Sequence, residues 1–98
     1  MDSIRKYLIL EKKMNEVVAE RTISKFQRHP DIALELKKWI STRTYETNSP
    51  LAVEGYTAED IFKLAPFMDG VGVFTFLISL REQPEKAKEQ IAAGFPRK

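Results

Sequence analysis

Apolar and polar positions along the chain fall into helical registers punctuated by proline and glycine. The densest apolar stretch is Val71–Leu80, V-G-V-F-T-F-L-I-S-L, which carries no charge. Asp69 and Arg81 close the uncharged run at 11 residues, about half of the ~20 that a membrane span needs. Its β-branched and aromatic content suits a strand. No second strand-like run exists to pair with it, however, and a lone strand leaves its backbone groups unsatisfied. The stretch therefore reads as a helix. At a helical period, Gly72, Thr75 and Ser79 share one stripe, while Val71, Val73, Phe74, Leu77, Ile78 and Leu80 cover the opposite half. A helix that is apolar nearly all round belongs in the interior. Its strip of small side chains fits the close approach of a neighbouring helix, with a ligand-lined groove as the sharper reading.

The other segments are arranged as partners for this one. From a cap at Asp2 or Ser3, a first helix is expected to run to about Gln27. Tyr7, Leu10, Met14, Val17 and Val18 share one of its faces, with Ile4 and Leu8 at the margin. Past residue 19 the pattern rotates, and Ala19, Ile23 and Phe26 point elsewhere. Either a two-sided helix or a break near Glu20–Thr22 would produce this. Ile9, Ile23 and Phe26 are then surplus apolar positions, to be covered by the bundle or by another subunit.

Pro30 ends the first helix and opens a second, whose face is Ile32, Leu36, Trp39, Ile40 and Arg43, with fraying around Thr44–Thr47. The irregular segment Asn48–Tyr56 is expected to be pinned by Leu51 and Val53. Thr57 with Asp60 forms a capping pair for a third helix burying Ile61, Phe62 and Leu64. Asp69 is a candidate cap for the central helix. The last helix starts at Pro84 and stops at Gly94, with Phe95 as the hydrophobic contact and Pro96 beyond it. These signals predict an all-α compact bundle of about five helices, a single domain over 1–98, with a buried central helix over 71–82.

Composition narrows the chemistry. With 43% hydrophobic and 31% charged residues, the chain has the make-up of an ordinary globular domain. It contains no cysteine, which removes disulfides, thiolate nucleophiles and zinc–sulfur sites. The apolar run Tyr7–Leu10 is too short for a signal-peptide core, so a cytoplasmic location is expected. Net charge is +2. Residues 1–45 carry ten Lys and Arg against six acids, and residues 46–98 six against eight, a mild asymmetry unlike a basic arm.

No motif points to catalysis. His29 is the one histidine, so neither a metal site nor a nucleophile–base pair can be assembled around it; an exposed or capping role beside Pro30 is expected. Asp69–Gly72, D-G-V-G, lacks the spacing of a phosphate loop. Thr57–Ala65 followed by Val71–Arg81 has the outline of a helix-turn-helix, but its second helix would offer Val, Phe, Leu and Ile to the base edges. The expectation is a non-enzymatic protein without cofactors or metal. It would act through protein–protein interaction or self-association as a homodimer, with Ile9, Ile23 and Phe26 as the interface. The alternative is a weak nucleic-acid-binding accessory using Arg5, Lys6, Lys12, Lys13, Lys37 and Lys38. A small-molecule site beside Gly72, Thr75 and Ser79 is a third reading.

Overall fold

A computed structural model describes residues 2–95; Pro96, expected beyond the end of the last helix, lies outside them. The chain forms an all-α bundle. Helix α1 (Asp2–Lys6) continues as a π-helical turn over Tyr7–Glu11 and is followed by α2 (Glu16–Gln27) and α3 (Pro30–Thr42). After a long irregular segment come α4 (Ala58–Leu64), α5 (Gly70–Glu82) and α6 (Pro84–Ala93). Among the described residues no helix is long and apolar enough to cross a membrane.

Helix α5 packs against α2, α3, α4 and α6. Val73, Leu77 and Leu80 are fully buried, and Val71, Phe74, Phe76 and Ile78 nearly so. Burying one such side chain contributes roughly 1.5–3 kcal/mol, so this helix is the largest apolar contributor to the core. The core is contiguous and takes Ile4 from α1, Ile23 from α2, Leu36 from α3, Ile61 from α4 and Ala87 from α6. Local chemistry sets the helix ends. Thr57 Oγ1 accepts the Asp60 N–H at 3.2 Å while Asp60 Oδ2 accepts the Thr57 N–H at 2.9 Å, which is the expected capping pair. Gly94 has φ +74°, a value only glycine adopts easily. Beyond it Phe95 meets Phe76 edge-on, with ring centroids 4.8 Å apart.

The first helix departs from expectation. It breaks at Lys12–Asn15, upstream of Glu20–Thr22. The π turn gives Lys12 N–H to Tyr7 O and Met14 N–H to Leu8 O, each at 3.0 Å. Lys13 then takes φ +59°, and Asn15 restarts the helix by accepting the Val18 N–H at 2.9 Å. The break resets the register, so the face inferred for one continuous helix does not exist. Ile4, Tyr7 and Leu8 go inward from the first piece, and Ala19, Ile23 and Phe26 from the second. Leu10 and Val17, expected inside, are each 63% exposed. Leu64 is also exposed, because α4 ends there and the chain turns Ala65 inward instead.

One close approach fixes how α5 meets α3. Gly70 lies so near the indole of Trp39 that an added Cβ would overlap the ring. At Gly72, two residues on, the nearest atom would be the Met68 Cβ at an ordinary 3.4 Å. Gly70→Ala should therefore lower stability by about 2–3 kcal/mol through overpacking. Gly72→Ala should be neutral or gain up to about 1 kcal/mol from helix propensity. Urea melts of the two variants check this, and equal effects would contradict the Trp39 contact.

Candidate functional site

Two surface features stand out from the packed core. The first is the small-residue strip of α5. Gly72 and Thr75 are half-buried and Ser79 is exposed, and the strip opens onto a groove of about 440 Å³ whose other wall includes Met14, Thr22 and Met68. Val71 and Phe76 supply apolar surface along it. Close packing by a helix, the simpler expectation for this strip, is incomplete among the described residues: α2 touches α5 but leaves Gly72 and Thr75 half-buried and Ser79 exposed.

At the N-terminal end of the groove stands Asp69. Its Oδ1 accepts the Gly72 N–H at 3.0 Å and so caps α5. Its Oδ2 accepts the Tyr7 hydroxyl at 2.9 Å and the Lys12 ammonium at 2.8 Å. Burial alone would raise this carboxyl, but Lys12, the Gly72 amide and the Tyr7 hydroxyl outweigh it and hold the group below the usual carboxylate range.

The second feature is an aromatic cluster joining the end of α3 to the segment that follows. Tyr7 meets Trp39 edge-on at 5.6 Å, Trp39 lies 6.1 Å from Tyr45, and Tyr45 stacks on Phe62 at 4.9 Å. Arg43, in a left-handed conformation at the end of α3, holds its guanidinium carbon 5.1 Å from the Tyr7 ring and 5.2 Å from the Trp39 ring. The same guanidinium donates to Glu11 at 2.6 Å, which fastens the π turn to α3. The Tyr45 hydroxyl is buried without a hydrogen-bond partner among the described residues.

At the opposite end of α5 the polar side chains pair with one another. Arg81 grips Asp31 through two hydrogen bonds of 2.9 and 2.8 Å, holding the Asp31 carboxyl at about 2, well below its ordinary value. His29 Nε2 lies 2.7 Å from Glu82 Oε2, and Arg28 reaches the same carboxylate. His29 thus stands at the N-cap position of α3, as expected, but its side chain makes no cap bond and is largely covered and paired across the fold rather than exposed. Neither the Arg81–Asp31 pair nor the His29–Glu82 pair includes a nucleophile, and no group of three His, Asp or Glu that could hold a metal occurs among the described residues.

The positions expected to form an interface are not brought together at the surface. Ile23 is 1% and Phe26 0% exposed, both enclosed by the chain's own bundle, because the break at Lys12–Asn15 turns that face of α2 inward. Ile9 is half-buried against the core. The exposed apolar side chains of this region are Leu10, Val17 and Val18. In the basic set, Arg5 pairs with Glu20, Lys12 with Asp69 and Lys38 with Glu35.

Compared with models of known families, with curated proteins and with solved structures, the chain matches none.

Two tyrosines report on these sites. Burial pushes the Tyr7 hydroxyl up to about 12, aided by the bond to Asp69 and its charge, and burial likewise pushes Tyr45 to about 12. A group whose folded pKa is raised stabilises the fold fully below its unfolded value, near 10, and loses that contribution as pH rises towards 12. Stability should therefore fall between pH of about 10 and 12, with Tyr7→Phe flattening part of the fall. Tyrosinate absorbance read beside helical circular dichroism checks this. Free titration of all three tyrosines near their ordinary value in the folded chain would contradict it.

Proposed function

We propose that the protein is a binding module without catalytic chemistry of its own, and that the groove beside Gly72, Thr75 and Ser79 receives an amphipathic helix of a protein partner. The observation that carries this reading is the uncovered strip: α5 is enclosed on its other sides, yet its smallest side chains border open space. Small residues let a second backbone come close, which multiplies dispersion contacts that are individually tiny. The groove bank on α2 has a definite chemistry. Val18 and Lys25 lie one turn to either side of Thr22, both exposed, so they offer an apolar contact and a cation. A helix with a narrow apolar face and an acidic flank is complementary to that bank.

A second copy of the chain is the self-associating form of the same reading, since Leu10, Val17 and Val18 supply an exposed apolar ridge nearby. A cytoplasmic setting belongs to the same proposal. The nucleic-acid alternative is weaker, because Arg5 and Lys12 are held in ion pairs and Lys38 stands beside the carboxylates of Glu35 and Glu46.

The test places a photo-crosslinking phenylalanine analogue at Ser79 in cells that make the protein. The expected result is a discrete adduct that disappears when Thr75→Arg is added with the melting temperature unchanged. An adduct of twice the chain mass would identify a second copy as the occupant. No adduct from Ser79, or the same adducts from a crosslinker at exposed Lys37, would overturn the proposal.

A further inference from the structure

A cavity of about 260 Å³ opens beside the C-terminal end of α3, away from the α5 groove. Its walls are the rings of Trp39, Tyr45 and Phe74, and the carboxylates of Glu35 and Glu46 belong to its lining. We infer that this cavity binds a small organic cation, an alkylammonium group seated between the two carboxylates with its hydrocarbon end against the aromatic rings.

Two observations converge on that chemistry. Aromatic faces carry the negative part of the ring quadrupole and attract cations. Trp39 already shows this, with the Arg43 guanidinium carbon 5.2 Å from its ring. Next, the Glu35 side chain is only 12% exposed, and the ion pair it makes among the described residues is loose. Lys38 Nζ stands 3.4 Å from Glu35 and 3.9 Å from Glu46, whereas a well-formed charge-assisted bond spans about 2.7–2.9 Å. Lys38 thus acts as a poorly fitting internal occupant, tethered by its own backbone.

Size and charge define the ligand further. The cavity is below the ~300–1,000 Å³ of typical ligand pockets, so it suits an amine of a few carbons. A neighbouring cleft that shares Trp39 and Tyr45 is lined by Arg43, Lys63 and Glu59, so it offers one carboxylate beside two cations rather than a pair of carboxylates. This inference does not depend on the groove reading.

Trp39 is the single tryptophan, so intrinsic fluorescence reports directly from the cavity wall. Titration with n-butylammonium chloride should give a saturable change that sodium chloride at equal ionic strength and n-butanol do not give. Glu35→Gln should weaken binding roughly tenfold, equivalent to about 1.4 kcal/mol. Lys38→Met, a change at an exposed position, should tighten it severalfold by removing the internal occupant. Thr75→Arg in the α5 groove should leave it unchanged, which separates failure here from failure of the proposed function. No saturable change up to tens of millimolar amine would overturn the inference. Equal binding of n-butanol would overturn it too, as would a Lys38→Met variant that binds no more tightly.

Discussion

The carboxylate of Asp69 is the constraint on which the rest of the fold depends. One oxygen starts α5 by accepting the Gly72 N–H, and the other accepts from Tyr7 and Lys12. A single half-buried group thus sets where the apolar helix begins and where the N-terminal segment lies against it. Tyr7 carries the arrangement on to Trp39, and Trp39 lies against the Cβ-less face of Gly70. The start of α5 is therefore held from three directions: by its cap, by the π turn and by α3. Moving any one of these would force an overlap or strand a buried charge.

This anchoring explains why α5 can leave one strip uncovered. Its apolar surface is buried on the sides facing α2, α3, α4 and α6, enough to hold it without a further helix over Gly72, Thr75 and Ser79. The exposed apolar residues follow from the same geometry. The break at Lys12–Asn15 redirects α2 so that Ile23 and Phe26 enter the core, which leaves Val17 and Val18 outward. The proposed binding surface is thus a by-product of how the core closes.

Much of this was legible in the sequence where the signal is local. Pro30, Pro84, Gly94 and the Thr57–Asp60 pair mark helix ends through backbone geometry and short-range hydrogen bonds, and each stands where the pattern places it. The centrality of Val71–Leu80 was legible because no other stretch is so apolar. The break in the first helix was one of two expected alternatives but was placed too late, near Glu20–Thr22, although Asn15 followed by Glu16 is a recognisable start. Apolar residues on both sides of it fit a continuous period, and a positive φ at a lysine has no local signature. Without its true position, the sequence left open whether the bundle or another subunit covers Ile23 and Phe26. The aromatic cluster was not legible at all, because Tyr7, Trp39, Tyr45 and Phe62 come from separate segments and meet only through tertiary packing. The same holds for His29, whose partner Glu82 lies far along the chain.

The central claim is that the chain alone leaves the small strip of α5 open. Solvent paramagnetic relaxation of side-chain proton resonances, recorded with a soluble gadolinium chelate on the dilute protein, addresses it most directly. The account predicts strong broadening at Thr75 and Ser79 and little at Ile23 and Leu77. Protection of Thr75 that persists on dilution would mean that the chain covers its own groove, and would contradict the account.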